Sequence, residues 1–330
     1  MRAAMSSEPL HLAVTHSDRS DALLRGIVKP ACAGVSFVSG NTDDLFFDLL
    51  NTRKYAGGEM SLAAYSVARS RGREDLIALP VFLSRMFRHA SIYVRNGSAF
   101  GGAGDLRGRR VGVPDYQMTA CVWVRHALSV QYGVLPTEIH WFVGGLEAPS
   151  LRERISLRKP PEVRVEPLRR EADLVGSLES GELDAVITPR APRAFAAGAM
   201  RRLFETPRVE ERRYFEMTRV FPIMHTFVLR TDALAQRPEL AHDLFVALVE
   251  AKRVGDARLA ETDFLPYGLA WMVEERLDEL ALFGDDPWPY GLEKNRPALD
   301  VFCHALADQG LVEQRPSPDQ LFVPVAEETC

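Results

Sequence analysis

Apolar and polar positions fall into two alternating periods from the start of the chain. Leu10–Thr15 is a short apolar run and reads as a strand, after which Ser17 and Asp18 cap a helix running through Ile27. Val35–Val38 reads as a second strand. Asn41 or Thr42 then caps Asp43–Leu50, where apolar residues recur at helical spacing. Ser61–Arg71 follows as a helix, Leu76–Leu83 as a long apolar strand and Ala90–Arg95 as a further strand behind a basic loop. Asn96–Asp105, with Gly97, Gly101, Gly102 and Gly104, reads as a connector. A second strand–helix series runs through Arg110–Val113, Cys121–Tyr132, Ile139–Val143, Val163–Leu168, Leu174–Glu179 and Ala185–Thr188. The helical segment Val209–Met217 leads into the apolar strand Phe221–Arg230, beyond which Pro238–Val254, Gly268–Phe283 and Arg296–Gln309 are helical. The stretch Arg152–Arg170, carrying Pro160 and Pro161, reads as a charged surface loop.

This alternation predicts an α/β protein with open, mostly parallel sheets and helices on both faces. The order of elements is met economically by two lobes: residues 1–95 plus 221–330 form a discontinuous first lobe, and 96–220 are inserted as a second. The crossings then fall near Arg95 and Phe221, with a ligand cleft between the lobes at the carboxyl ends of the strands.

The 330 residues are ample for two cores, with 46% hydrophobic and 26% charged. The 40 basic and 45 acidic residues are interspersed and leave a net charge of -5, which argues against a nucleic-acid partner. No run approaches the roughly 20 apolar residues of a membrane helix. The polar stretch before Leu10 lacks the apolar core of about 7–15 residues that an export signal needs. Cys32, Cys121, Cys303 and Cys330 form no paired motif and read as reduced thiols. The expected location is therefore the cytoplasm. No phosphate-binding loop, dinucleotide fingerprint, serine-nucleophile elbow or set of metal-ligand spacings is present, so no metal site is expected.

Four junctions carry dense polar chemistry. Gly57–Leu62 reads as a turn with Ser61 as helix cap, a place where free backbone amides favour anions. Phe82–His89 sets Arg85, Arg88 and His89 among aromatics, a combination suited to an anionic aromatic ligand. Val111–Thr119 runs a strand into a helix start where Gln117 and Thr119 sit. His225 stands alone in the apolar return strand; such a histidine is more often a core residue, but imidazole is also the side chain best suited to proton transfer near neutral pH.

Read together, the stretches EMSLAAY (Glu59–Tyr65), LPVFLSRMFRHASIYVR (Leu79–Arg95), LRGRRVGVPDYQMTACVW (Leu106–Trp123), GELDAVI (Gly181–Ile187), FPIMHTFVLR (Phe221–Arg230) and DPWPYGLEKNR (Asp286–Arg296) resemble the 4,5-dihydroxyphthalate decarboxylase family. One departure is Tyr55–Gly58, where the family carries a more apolar strand. The resemblance implies the two-lobed fold of type II periplasmic binding proteins, used as an enzyme. It also implies loss of one carboxylate from 4,5-dihydroxyphthalate to give protocatechuate and CO2.

Each carboxylate of that substrate lies para to a hydroxyl, so the ring itself takes up the electrons and no cofactor is required. The reaction calls for an acid above one ring carbon, a base near one phenol and a cationic anchor. Under this resemblance Arg85 and Arg88 anchor carboxylate, helped by Gln117, Thr119 and Ser61. His89 and His225 are the proton-transfer candidates, and Glu59 takes the phenolic proton or holds a histidine; Tyr290, Glu293 and Arg296, in the tryptophan- and proline-rich segment Pro287–Arg296, close the cleft or belong to a rigid structural loop. The expected partner is a small aromatic dicarboxylate, and a homo-oligomer is compatible with the chain. Two other readings share the pattern: a non-catalytic solute-binding protein for an aromatic carboxylate, and a decarboxylase of a related hydroxylated aromatic acid.

Overall fold

A computed structural model describes residues 9–149, 155–158 and 161–326. The first half-lobe runs β1 (Leu10–Val14), α1 (Asp18–Leu24), β2 (Val35–Ser39), α2 (Thr42–Asn51), β3 (Gly57–Ser61), α3 (Leu62–Ser70) and β4 (Leu76–Arg85). The chain then crosses into β5 (Ile92–Arg95), β6 (Arg110–Val113), α4 (Thr119–Tyr132), β7 (His140–Val143), β8 (Val165–Pro167), α5 (Leu174–Ser180), β9 (Ala185–Ile187), α6 (Arg193–Ala196) and β10 (Met200–Arg202). It returns through α7 (Pro207–Thr218) into β11 (Ile223–Arg230) and finishes with α8 (Thr231–Gln236), α9 (Leu240–Leu259), α10 (Met272–Phe283), α11 (Leu292–Asp308) and α12 (Pro318–Leu321). None of the described helices is long and apolar enough to cross a membrane. The charged stretch 152–170 lies partly outside the described residues, and its end forms β8.

Two sheets result. One has the order β2-β1-β3-β11-β4, the other β10-β5-β9-β6-β7-β8. Strands joined by helical crossovers pair in parallel, as β1 does with β2 and β3, and β6 with β7 and β9. β11 is the exception in the first sheet, antiparallel to both β3 and β4. The strand at 92–95 pairs with β9 and β10 in the second sheet. The passage from the first sheet to the second therefore runs through residues 86–91, ahead of β5. The two crossings touch: Met86 N–H donates to the Pro222 carbonyl at 3.0 Å.

Gly57–Ser61 is a fully buried strand, not the turn its glycines suggested. The glycines are there because neighbouring strands come too close for side chains. A Cβ on Gly57 would meet the Val228 carbonyl oxygen at 2.5 Å, and one on Gly58, at φ +155°, would meet that of Ala13 at 2.2 Å. β3 is thereby wedged between β1 and β11, which fixes where Glu59 and Ser61 fall. The segment between α10 and α11 lies along β4. There Trp288 Nε1–H donates to the Phe82 carbonyl at 2.6 Å and Gly291 N–H to that of Pro80 at 2.8 Å.

Candidate active site

Three strands of the first sheet carry polar residues abreast at one end of the sheet. His225 of β11 stands opposite Ser61 of β3 on one side and Ser84 of β4 on the other. Glu59, two residues before Ser61 and so on the same face, is only 1% exposed. Its Oε1 lies 2.6 Å from His225 Nδ1, and its Oε2 accepts the Thr15 N–H at 2.8 Å and the Thr15 hydroxyl at 2.5 Å. Burial opposes ionisation of Glu59, but His225 and Thr15 outweigh it and hold the carboxyl below the usual range. The Phe46 ring of α2 meets the imidazole edge-on, with centroids 4.9 Å apart. The His225 side chain is 17% exposed, and its Nε2 has no hydrogen-bond partner among the described residues. A histidine with one nitrogen fixed by a buried carboxylate and the other open is a proton carrier in form.

The two sequence-predicted arginines are disposed differently. Arg85 is buried, and its donors go to the carbonyls of Phe221 and Pro289, both at 3.1 Å, and to the Asn295 side-chain oxygen. It clamps β4, the return crossing and the 284–291 segment together, and burial pushes its pKa down to about 9. Arg88 is half-buried. Its hydrogen bond among the described residues runs from Nε to the Met224 sulfur at 3.3 Å. Burial lowers its pKa to about 10, with the Cys121 thiol and Glu211 opposing. It is thus a largely desolvated cation with no carboxylate bonded to it, at the crossing between the lobes.

His89 is buried on the side of the second sheet. Its Nε2 lies 2.8 Å from Gln131 Oε1, its Nδ1 has no partner, and the rings of Tyr132, Phe204 and Tyr214 surround it. Burial depresses its basicity, and none of these contacts joins it to Glu59 or His225.

Ser61 and Thr119 bring the lobes into contact. Their hydroxyls are 2.9 Å apart, and Thr119 Oγ1 also accepts the Ala63 N–H at 2.9 Å. Gln117 faces the outer side of α3: its Oε1 accepts from Arg71 at 3.0 Å and its Nε2 donates to the Ile155 carbonyl at 2.8 Å. Arg190, just beyond β9, pairs with Asp43 of α2 at 3.0 Å. Of the 290s residues, Tyr290 is buried, its hydroxyl without a hydrogen-bond partner among the described residues, whereas Glu293 and Arg296 pair with each other in the first turns of α11, and Arg296 also pairs with Asp319 of α12. The structure therefore unites Glu59 and His225, joins Ser61 to Thr119, and leaves His89, Glu293 and Arg296 apart from that pair. Thr15, Phe46 and Trp288 were missed from sequence. Thr15 gave a signal as a small hydroxyl residue closing an apolar strand, and Trp288 through the tryptophan- and proline-rich segment that carries it; Phe46 gave none.

No family model matches the chain. It is 36% identical over 327 residues to a 4,5-dihydroxyphthalate decarboxylase of Comamonas testosteroni, covering 98% of this chain and 99% of the relative. It is also 41% identical over 194 residues to a 4,5-dihydroxyphthalate decarboxylase of Pseudomonas putida, covering 59% and 75%. Among solved structures it resembles the periplasmic aliphatic sulphonate binding protein SsuA of Escherichia coli, with TM-score 0.54, 15% identity and 96% and 98% of the two chains covered. It likewise resembles the MOPS-bound alkanesulfonate-binding protein SsuA of Xanthomonas axonopodis pv. citri, with TM-score 0.52, 13% identity and 97% and 100% covered. These likenesses show the periplasmic-binding-protein fold. An alignment of this identity over nearly the whole length of both chains settles the family: the protein is a carboxy-lyase and belongs to the 4,5-dihydroxyphthalate decarboxylase family.

Proposed function

We propose that the enzyme removes one carboxylate from 4,5-dihydroxyphthalate, releasing CO2 and protocatechuate, with His225 as the proton carrier. The observation that carries this reading is the Glu59–His225 pair, 2.6 Å apart, with the second imidazole nitrogen unengaged. Protonated at both nitrogens, His225 donates from Nδ1 to Glu59 and presents Nε2–H to the ring carbon that bears the departing carboxylate. The new C–H bond forms as the para hydroxyl gives up its proton to solvent, leaving a dienone-like ring and a neutral His225. The C–CO2 bond then breaks, and its electron pair restores the aromatic ring as a phenolate, which takes a proton back from solvent; His225 is reprotonated from the same source, so one proton in all is consumed, the one left on the ring carbon. Glu59 stabilises the imidazolium at the start, and Thr15 keeps the carboxylate in place. Arg88, with no carboxylate bonded to it, anchors the carboxylate that stays on the ring.

The experiment is a CO2-release assay on purified wild type and His225→Asn. The wild type is expected to convert 4,5-dihydroxyphthalate. The variant is expected to bind it and turn over about 10²–10⁴-fold more slowly, the usual contribution of general acid–base catalysis. Wild type that binds the compound and releases it unchanged would instead make the protein a receptor. A His225→Asn enzyme with near-normal turnover would remove the proton from this residue.

A further inference from the structure

A third arginine is built into the wall of the same site. Arg19 lies in the first turn of α1, four residues after Thr15, so one turn of chain supplies both the group that holds Glu59 and this cation. Its side chain crosses to β4, where Nε donates to the Leu83 carbonyl at 3.1 Å. Leu83 precedes Ser84, the residue opposite His225. Nη1 donates to Asp18 Oδ1 at 2.6 Å, and the guanidinium lies 4.0 Å from the centroid of the Trp288 ring. The buried Tyr290 phenol, raised chiefly by its burial, also feels Arg19, Glu59, Asp18 and Arg85, so these groups share one neighbourhood.

An ordinary surface ion pair between adjacent residues needs neither the reach to β4 nor the indole beneath it. Those contacts fix the plane of the guanidinium, and a planar fork has more donors than they use. Nη2 has no hydrogen-bond partner among the described residues and is not sealed off from solvent. The side chain is 18% exposed, close to the 17% of His225. Charge balance separates Arg19 from Arg88. Arg88 has no carboxylate bonded to it and suits a full negative charge. Arg19 is neutralised by Asp18 and is a directional donor, better matched to an oxygen that is neutral in the substrate and gains charge only during reaction.

We propose that Arg19 is a specificity-determining residue whose Nη2 donates to the ring hydroxyl para to the departing carboxylate. This assignment rests on the decarboxylase reading above. It gives the enzyme a means of requiring that hydroxyl, since the oxygen it would contact is the one that accepts the ring electrons when CO2 leaves.

The test uses ligands that cannot react. Relative to the retained carboxylate, the hydroxyl in question is meta, so 3-hydroxybenzoate carries it and benzoate lacks it. Calorimetric titration of wild type is expected to show 3-hydroxybenzoate binding more tightly than benzoate. In Arg19→Met that preference falls by about tenfold or more, the worth of a charge-assisted hydrogen bond, while benzoate affinity is unchanged. Arg19→Lys restores part of it. If Arg19→Met weakens both ligands alike, or weakens neither, Arg19 does not read the hydroxyl and the proposal fails. Should Arg19→Met not fold, Arg19→Lys alone decides: a preference equal to that of wild type overturns the proposal, because a lysine cannot keep the pinned fork. Failure of the underlying reading is separately visible as wild type that releases no CO2 from 4,5-dihydroxyphthalate.

Discussion

At the scale of single residues, the site is governed by which polar groups the fold has already satisfied. Arg85 and Arg88 are three residues apart and looked equivalent in sequence, yet Arg85 spends its fork on two carbonyls and an amide while Arg88, among the described residues, bonds only a thioether. Replacing Arg88 by Met keeps bulk and removes charge-assisted bonds worth about 1.5–3 kcal/mol. Substrate affinity is expected to fall about tenfold or more with little change in melting temperature, and titration with a non-reacting benzoate checks it. Unchanged affinity would return Arg88 to a structural role. The two histidines part in the same way. Nothing in the local sequence distinguished them, because His89 is set among the aromatics of α4 and α7 and His225 against β3, contacts made between segments far apart in the chain.

At the scale of elements, strands with continuous apolar runs were legible because burial on both faces demands such runs. β4 and β11 came through clearly, and so did the helix start at Ser61. β3 did not, because its signature is absence of side chains: Gly57 and Gly58 let β1 and β11 approach, and glycine in a sequence is a turn signal by default. Adding a methyl group there tests this account. Gly58→Ala drives a Cβ to 2.2 Å from a backbone oxygen that cannot swing away. Overpacking of this kind costs about 1–3 kcal/mol, so thermal denaturation should shift down by several degrees, and activity per folded molecule should drop as Glu59 is displaced. A melting temperature equal to that of wild type would mean that β1 and β3 are not so closely packed. The segment Pro287–Arg296 was legible as unusual by its Trp and Pro content. Its work, pinning Arg85 and lying under Arg19, emerges only once it is laid against β4.

At the scale of the whole molecule, the half-buried His126 and the buried His89 couple stability to pH. Burial depresses His126 from 6.5 to about 4, with Asp308 of α11 opposing, and it also lowers His89. In the unfolded chain these groups take up protons near their ordinary value, whereas in the fold they resist. The stability they confer is fully present above pH 6.5 and is lost as pH falls toward about 4. Glu211 acts in the opposite sense, because burial raises it above 4.5. The useful measurement is therefore the difference between wild type and His126→Asn. The melting temperature of wild type should fall more steeply between those limits, and parallel curves would deny His126 a part. The order of strands in the first sheet has a further consequence, for synthesis. β3 and β4 flank β11 and are made long before it, with the second sheet encoded in between. While the ribosome is still producing residues 92–202, the edges that β11 will occupy stand open, and the first lobe has a gap at its centre where His225 belongs. The inserted lobe can close as a unit as soon as β10 pairs with β5, whereas the first sheet waits for a strand from the last third of the chain. Nascent chains halted between those points would carry two unpaired strand edges, the kind of surface that chaperones bind and that aggregates recruit.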